Sequence, residues 1–254
     1  MMTSRLLAAE TVSQVFDAIG AFPDRIKGVG AAEAVHVIKV CGGWWAFDAK
    51  SGGNHPQING IHFSDFIHMA RAIQHPHIND FFSMLLVRKI IQNLNSNPDQ
   101  YATSYVVAAL DRAGEMLAPQ VAFRLQRELS ASGSVVQRPF RSDISEPIIA
   151  GKKQRVIYVR SLIPACADFD PFLAPQPDGA LKPLVAAVFD RRRLEDEGFY
   201  TATDIVSLVR NQLVTYNVHA GVVCPLCKAG SLAIGMNGVY DNPEVWDRLT
   251  GRNT

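Results

Sequence analysis

The sequence predicts an α+β protein, mostly helical, built from two strand-loop-helix-helix units and closed by a loop-rich C-terminal tail. Three observations carry that expectation. Two β-branched runs, EAVHVIKVCGG (33–43) and RVIYVRSLI (155–163), each precede a Pro-, Gly-, Asn- or Asp-rich loop, and apolar residues at helical spacing follow each loop. The chain of 254 residues is 48% hydrophobic and 19% charged, enough for one large core or two smaller ones, and unlike a disordered chain. Beyond residue 214 the chain becomes loop-rich and holds a cysteine pair. The division that follows is 1–132, a helical N-terminal part with one short strand, and 133–254, a basic ribbon, a helix pair and a Cys-containing tail.

The elements follow in order. Leu6, Leu7, Val12, Val15, Phe16 and Ile19 lie near helical spacing, which predicts a helix over 4–19 ended by Gly20. The β-branched run 33–43 stops at a Gly pair, as a short buried strand does. Residues 48–61, DAKSGGNHPQINGI, read as a surface loop. Ser64 or Asp65 can cap a helix over 64–74, and Asn79 or Asp80 one over 80–95, whose frequent apolar positions suit a buried helix. Pro98 opens a third, reaching about residue 130 and interrupted near Pro119. After the strand 155–163 and the loop 164–180, helices are expected near 181–195 and 203–214.

Several function classes are excluded or disfavoured. The N-terminal apolar stretch is interrupted by Glu10 and Asp17, and no segment reaches the roughly 18 apolar residues that cross a bilayer, so a cytoplasmic chain with no membrane partner is expected. Four cysteines are too few and too unevenly spread for a disulfide framework. Phosphate-cradling and nucleophile-elbow motifs are absent, so the expectation is a non-enzymatic binding protein. A metal-dependent nuclease lacks the adjacent carboxylates it needs.

Two constellations stand out. In YNVHAGVVCPLCKAGSL (216–232), Cys224 and Cys227 have the C-x-x-C spacing that lets two thiolates hold one ion from a tight turn, and His219 offers a third ligand for a structural zinc. Cys41 and Cys166 are the candidates for a fourth. The alternative is two reduced cysteines beside an apolar run; a redox pair is disfavoured because no helix pattern follows. His55, His62, His68, His75 and His77 crowd 55–77 without H-E-x-x-H spacing, so packing or surface histidines are the default there. DRRRLEDEGF (190–199) has nearly cancelling charges and reads as a solvated helix face.

The second constellation is basic. Residues 137–164 gather Arg138, Arg141, Lys152, Lys153, Arg155 and Arg160 against Asp143 and Glu146, in a chain whose net charge is only +1. Such a patch binds phosphates by releasing counterions. Paired as a two-stranded ribbon across a dimer, the strand would place Lys152, Lys153, Arg155, Tyr158 and Arg160 on double-stranded DNA, with Arg160 turned to a base edge. The alternative is a soluble edge strand on a protein-only scaffold or assembly factor.

The segment INGIHFSDFIHMARAIQHPHINDFFSMLLVRKI (58–90) has an Ile-x-Gly, a Phe-containing helix, a Pro-anchored turn at His75-Pro76, the aromatic pair Phe81-Phe82 and a Leu-rich helix with basic residues. In that order it resembles the AcaB-like regulator family of conjugative plasmids and integrative elements, and YNVHAG is similar to a second family segment. HINDFF stands where the family has an acidic-aromatic run, and the CxxC tail is not a family feature. The resemblance implies a DNA-binding transcriptional regulator built around a ribbon-helix-helix unit and acting as a homodimer.

Overall fold

The computed structural model describes residues 2–20, 29–47, 53–130, 133–137, 153–163, 181–192, 203–211, 214–237, 239 and 242–251. The expected helix 4–19 is two helices, α1 (Met2–Leu7) and α2 (Val12–Gly20). Thr11 and Gln14 make the break: the Gln14 amide donates to Thr11 Oγ1 at 3.3 Å while Gln14 Oε1 accepts from Thr11 N at 3.1 Å, a reciprocal cap that starts a new helix.

The run 33–43, expected as a strand, lies mostly in helix α3 (Ala31–Val40). Ala34, Val37 and Ile38 are buried at i, i+3, i+4 spacing, and Glu33 accepts from the Gly30 amide at 2.8 Å. Burial of one face outweighs the few tenths of a kcal/mol, roughly, that each β-branched residue costs a helix.

Four short strands follow, β1 (Trp44–Ala46), β2 (His55–Ile58), β3 (Ile61–Phe63) and β4 (Asp65–Ile67). They correct the described part, 53–61, of the expected loop 48–61 and most of the expected helix 64–74, of which only α4 (Met69–Ile73) is helical. Asn59 and Gly60, at φ 47° and 70°, turn β2 into β3, the Asn-Gly hairpin whose two positive-φ positions match the strand twist. Helix α5 (Pro76–Ser96) starts earlier than expected because Pro76 occupies its first position.

The chain after Pro98 departs further from expectation. It makes a 3-10 turn (Pro98–Gln100), then strand β5 (Ser104–Ala109), then helix α6 (Arg112–Leu129), with Pro119 inside the helix instead of breaking it. Strands β6 (Val135–Gln137), β7 (Gln154–Ile163), β8 (Leu184–Asp190) and β9 (Asp204–Arg210) complete the described core. Where helices are expected near 181–195 and 203–214, the described residues form strands instead. All seven residues of β8 are buried. A strand covered on both faces shows no alternation, so its apolar run is as compatible with a helix as with a strand.

These strands form one parallel sheet of five in the order β6-β5-β7-β8-β9. Tyr105, Val107, Ile157, Val159, Leu184, Ala186 and Val188 join the core made with the helices, while Ala108, Val156, Tyr158, Val185 and Ala187 are buried on the opposite face. The fold is thus α/β, not a mostly helical α+β pair of strand-loop-helix-helix units, and it contains no ribbon-helix-helix unit among the described residues. The expected boundary at 132/133 falls between α6 and β6, and β5 pairs with β6 and β7 from beyond it.

A second sheet of four, β10-β3-β2-β11, adds β10 (Thr215–Asn217) and β11 (Ala233–Gly235) to the hairpin, and a two-stranded sheet pairs β1 with β4. Helices α7 (Pro225–Lys228) and α8 (Pro243–Thr250) complete the C-terminal region, where Trp246 and Leu249 pack with Ile234, Met236 and Val239. Among the described residues no helix is long and apolar enough to cross a membrane.

Candidate functional site

The described part of the basic segment, strand β7, is not an exposed ribbon. Strand β7 is the third of five, hydrogen-bonded to β5 on one side and β8 on the other, so it offers a partner no free edge. Tyr158 is fully buried. Arg155 is also fully buried, donating from Nε to the Lys182 carbonyl at 2.8 Å and from Nη2 to Asp204 at 2.5 Å. Arg160 is partly buried, 3.7 Å from Asp111, and Lys153 is an exposed residue at the start of the strand. Lys152, Arg138 and Arg141 lie outside the described residues. An interior strand of a parallel sheet cannot be half of a dimeric DNA ribbon, which overturns the DNA-binding regulator. The soluble edge on which the scaffold alternative rested falls for the same reason.

What β7 does is help to assemble the carboxyl edge of the sheet. From β5 the chain passes to β6 on one side and later returns to β7 on the other. At this reversal Asp111 caps α6 by accepting from the Gly114 amide, and its Oδ2 also accepts from the Ser161 amide and hydroxyl, each at 2.9 Å. Gly114 is required here: a Cβ would stand 2.5 Å from the Val159 carbonyl oxygen, so the first turn of α6 sits directly on β7. Exposed Arg112 opens the helix.

At the end of β8, Asp190 accepts from Arg192 Nε at 2.8 Å and Nη2 at 2.6 Å. Arg191 makes a two-pronged pair with Asp65 of β4, at 2.7 and 3.0 Å. Both arginines are more than nine-tenths buried, so this part of 190–199 is not a solvated helix face. The remainder, 193–199, lies outside the described residues.

The second site is a cluster of histidines and cysteines. His55, His62, Cys224 and Cys227 each bring one ligand atom, and the four atoms lie within 4.8 Å of one another. His55 Nε2 is 2.8 Å from His62 Nδ1; Cys227 Sγ is 3.6 Å from the first and 3.4 Å from the second; Cys224 Sγ is 4.0 Å from His55 Nε2.

The hairpin explains the pair of histidines. Gln57 faces His62 across the antiparallel strands, and His55 lies two residues from Gln57, so both imidazoles fall on one face. The cysteine segment is tied to the same hairpin at both ends, by β10 on β3 (Tyr216 opposite His62) and by β11 on β2 (Ala233 opposite His55). Burial, then the neighbouring imidazole, pulls the His55 pKa down to about 4; burial and then His219 lower that of His62. Burial, followed by the adjacent Cys224, raises that of Cys227.

Of the three residues expected to bind metal, Cys224 and Cys227 are in the cluster and His219 is not. His219 is exposed and lies against Gly60, where a Cβ would meet its ring at 2.0 Å. The other two members of the cluster are His55 and His62, and Cys41 is not among them. Cys41 follows α3, its thiol pushed up to about 11 by burial, and Cys166 lies outside the described residues. The missed signal was INGI: an Asn-Gly hairpin would have placed two of the five histidines on one face. The rest of that histidine run packs as expected, with His75 and His77 against Phe16 and His68 edge-on to Trp246.

No family model matches this sequence, and no curated protein matches it. Among solved structures, the chain is similar to the Leishmania donovani UMP synthase, with 15% sequence identity and a TM-score of 0.45. The match covers 73% of this chain and 36% of that one, so the chain spans little more than a third of the length of that structure.

Proposed function

We propose that this chain binds a small anionic molecule, of the phosphate-bearing kind, over the carboxyl ends of β5 and β7. The observation that supports this reading is the reversal of strand order at β5. In parallel α/β sheets, successive crossovers leave in opposite directions at such a point, and ligands lie outside the carboxyl ends of the two strands. Polar groups converge there in this chain: Asp111 and Arg112 after β5, Arg160 and Ser161 at the end of β7. The 18-residue α6 directs its N-terminus, the positive end of its dipole, to the same place. Arg112 opens α6 and Arg160 lies near the end of β7, 3.7 Å from Asp111, so both add positive charge at this end of the sheet.

Thermal unfolding in the presence of phosphate, pyrophosphate, sugar phosphates and nucleoside phosphates tests this. A ligand at a hundred times its Kd stabilises the folded state by about 2.7 kcal/mol, a readily measured rise in Tm. Arg160→Ala and Arg112→Ala should each remove the rise while keeping the unliganded Tm within a few degrees. No rise with any anion, or an undiminished rise in both variants, overturns the reading.

A further inference from the structure

We propose that His55, His62, Cys224 and Cys227 hold one zinc ion in a closed, tetrahedral, structural site. The donor set is the first argument. Two thiolates with two imidazoles is a Cys2His2 set, soft enough to select zinc over the hard cations that prefer oxygen. The geometry is the second. Bonds of about 2.3 Å to sulfur and 2.0–2.1 Å to nitrogen, at tetrahedral angles, separate a sulfur from a nitrogen by about 3.6 Å. Three sulfur–nitrogen distances, 3.4, 3.6 and 4.0 Å, bracket that value, while the two nitrogens, 2.8 Å apart, spread to about 3.3 Å when they share one ion.

A histidine–histidine hydrogen bond alone explains less. It accounts for the 2.8 Å between the two nitrogens but not for Cys227 lying close to both, nor for Cys224 completing the group.

The surroundings prepare the ligands. His55 Nδ1 is 2.8 Å from Ser231 Oγ, and that hydroxyl donates to the Gly53 carbonyl at 2.6 Å. With its hydroxyl proton so committed, Ser231 accepts from His55 Nδ1–H, which leaves the Nε2 lone pair facing the other three ligands. Outer partners of this kind hold a metal-bound imidazole in its tautomer and orientation. Cys224 precedes α7 and Cys227 lies in its single turn, with the Lys228 amide donating to the Cys224 carbonyl at 3.1 Å, so the turn brings both sulfurs to one side.

The need for an ion is visible in what surrounds it. The sheet that carries the site has strands of only three and four residues. Val218, Val222 and Val223 are exposed, and within the arch 218–230 only Cys224 and Leu226 are buried. So little buried apolar surface does not order such an arch, and small modules of this kind are held by a metal or a disulfide. Four protein ligands fill a tetrahedron, which makes the ion structural and leaves His219 outside the coordination sphere.

The test uses the full chain, purified without a polyhistidine tag. Elemental analysis should find one zinc per chain. After exchange, cobalt should give the visible bands of a tetrahedral ion and a thiolate charge-transfer band. Cys224→Ser, Cys227→Ser, His55→Ala and His62→Ala should each abolish stoichiometric metal, whereas His219→Ala should keep both the metal and the spectrum. Ser231→Ala should weaken metal retention against a chelator by about 10–100-fold while leaving one ion bound in its absence. Because ligand variants can unfold for other reasons, wild-type protein titrated with a thiol-modifying mercurial provides an independent readout: zinc should leave in step with the modification of Cys224 and Cys227. Wild-type protein that carries no zinc and takes up no cobalt overturns the proposal. So does loss of the metal in His219→Ala, or an octahedral cobalt spectrum.

Discussion

Arg155 shows how a single buried charge is settled. Its guanidinium is out of water and is compensated by Asp204 and the Lys182 carbonyl. Removing one partner of a buried pair strands the other charge, at a cost of about 3–5 kcal/mol, whereas replacing the charge by an apolar side chain of similar size costs much less. Asp204→Ala should therefore destabilise the protein more than Arg155→Met, a difference that urea unfolding of the two variants measures directly. Gly114 is governed by sterics alone. With a Cβ 2.5 Å from a backbone oxygen that cannot swing aside, Gly114→Ala should force α6 away from β7 at a cost of about 1–3 kcal/mol. The same denaturant series tests it, and an unchanged midpoint would show that the helix has room to move.

At the hairpin, two penalties are separable. Gly60 lies at φ 70°, where a side chain is strained, and it is also covered by the His219 ring. Gly60→Ala should lower stability by at least about 1 kcal/mol, and adding His219→Ala should restore only the steric part, because the backbone strain remains. If the double variant regains full stability, strain in the turn is negligible. Elements like this one were legible to very different degrees. Helix α5 and strand β7 could be read because one has a long apolar pattern opened by Pro76 and the other a β-branched run. Strand β8 could not, since LVAAVFD is buried throughout and shows neither period. Helix α3 was concealed by its valines and isoleucine, whose residue type suggests a strand while their spacing suggests a helix. For the metal cluster the cysteine half is written locally as CPLC. The histidine half depends on a strand pairing and cannot be found by looking near the cysteines.

Across the whole molecule, protection from solvent should be uneven. Strands β5, β7 and β8 are interior, so their amides should exchange slowest with deuterium, while those of the arch 218–224 should exchange quickly unless metal is bound. Exchange measured with and without chelator checks this; equal protection of the arch in both conditions would argue that the ion does not order it. The four-stranded sheet also joins distant parts of the sequence, because the cysteine–histidine contacts span at least 165 residues. Contacts of such high order form late, after the intervening parallel sheet has shortened the distance between their partners. During synthesis His55 and His62 therefore emerge long before their sulfurs. The hairpin must wait with both outer edges unpaired until β10 and β11 arrive, an interval in which exposed strand edges are open to wrong partners.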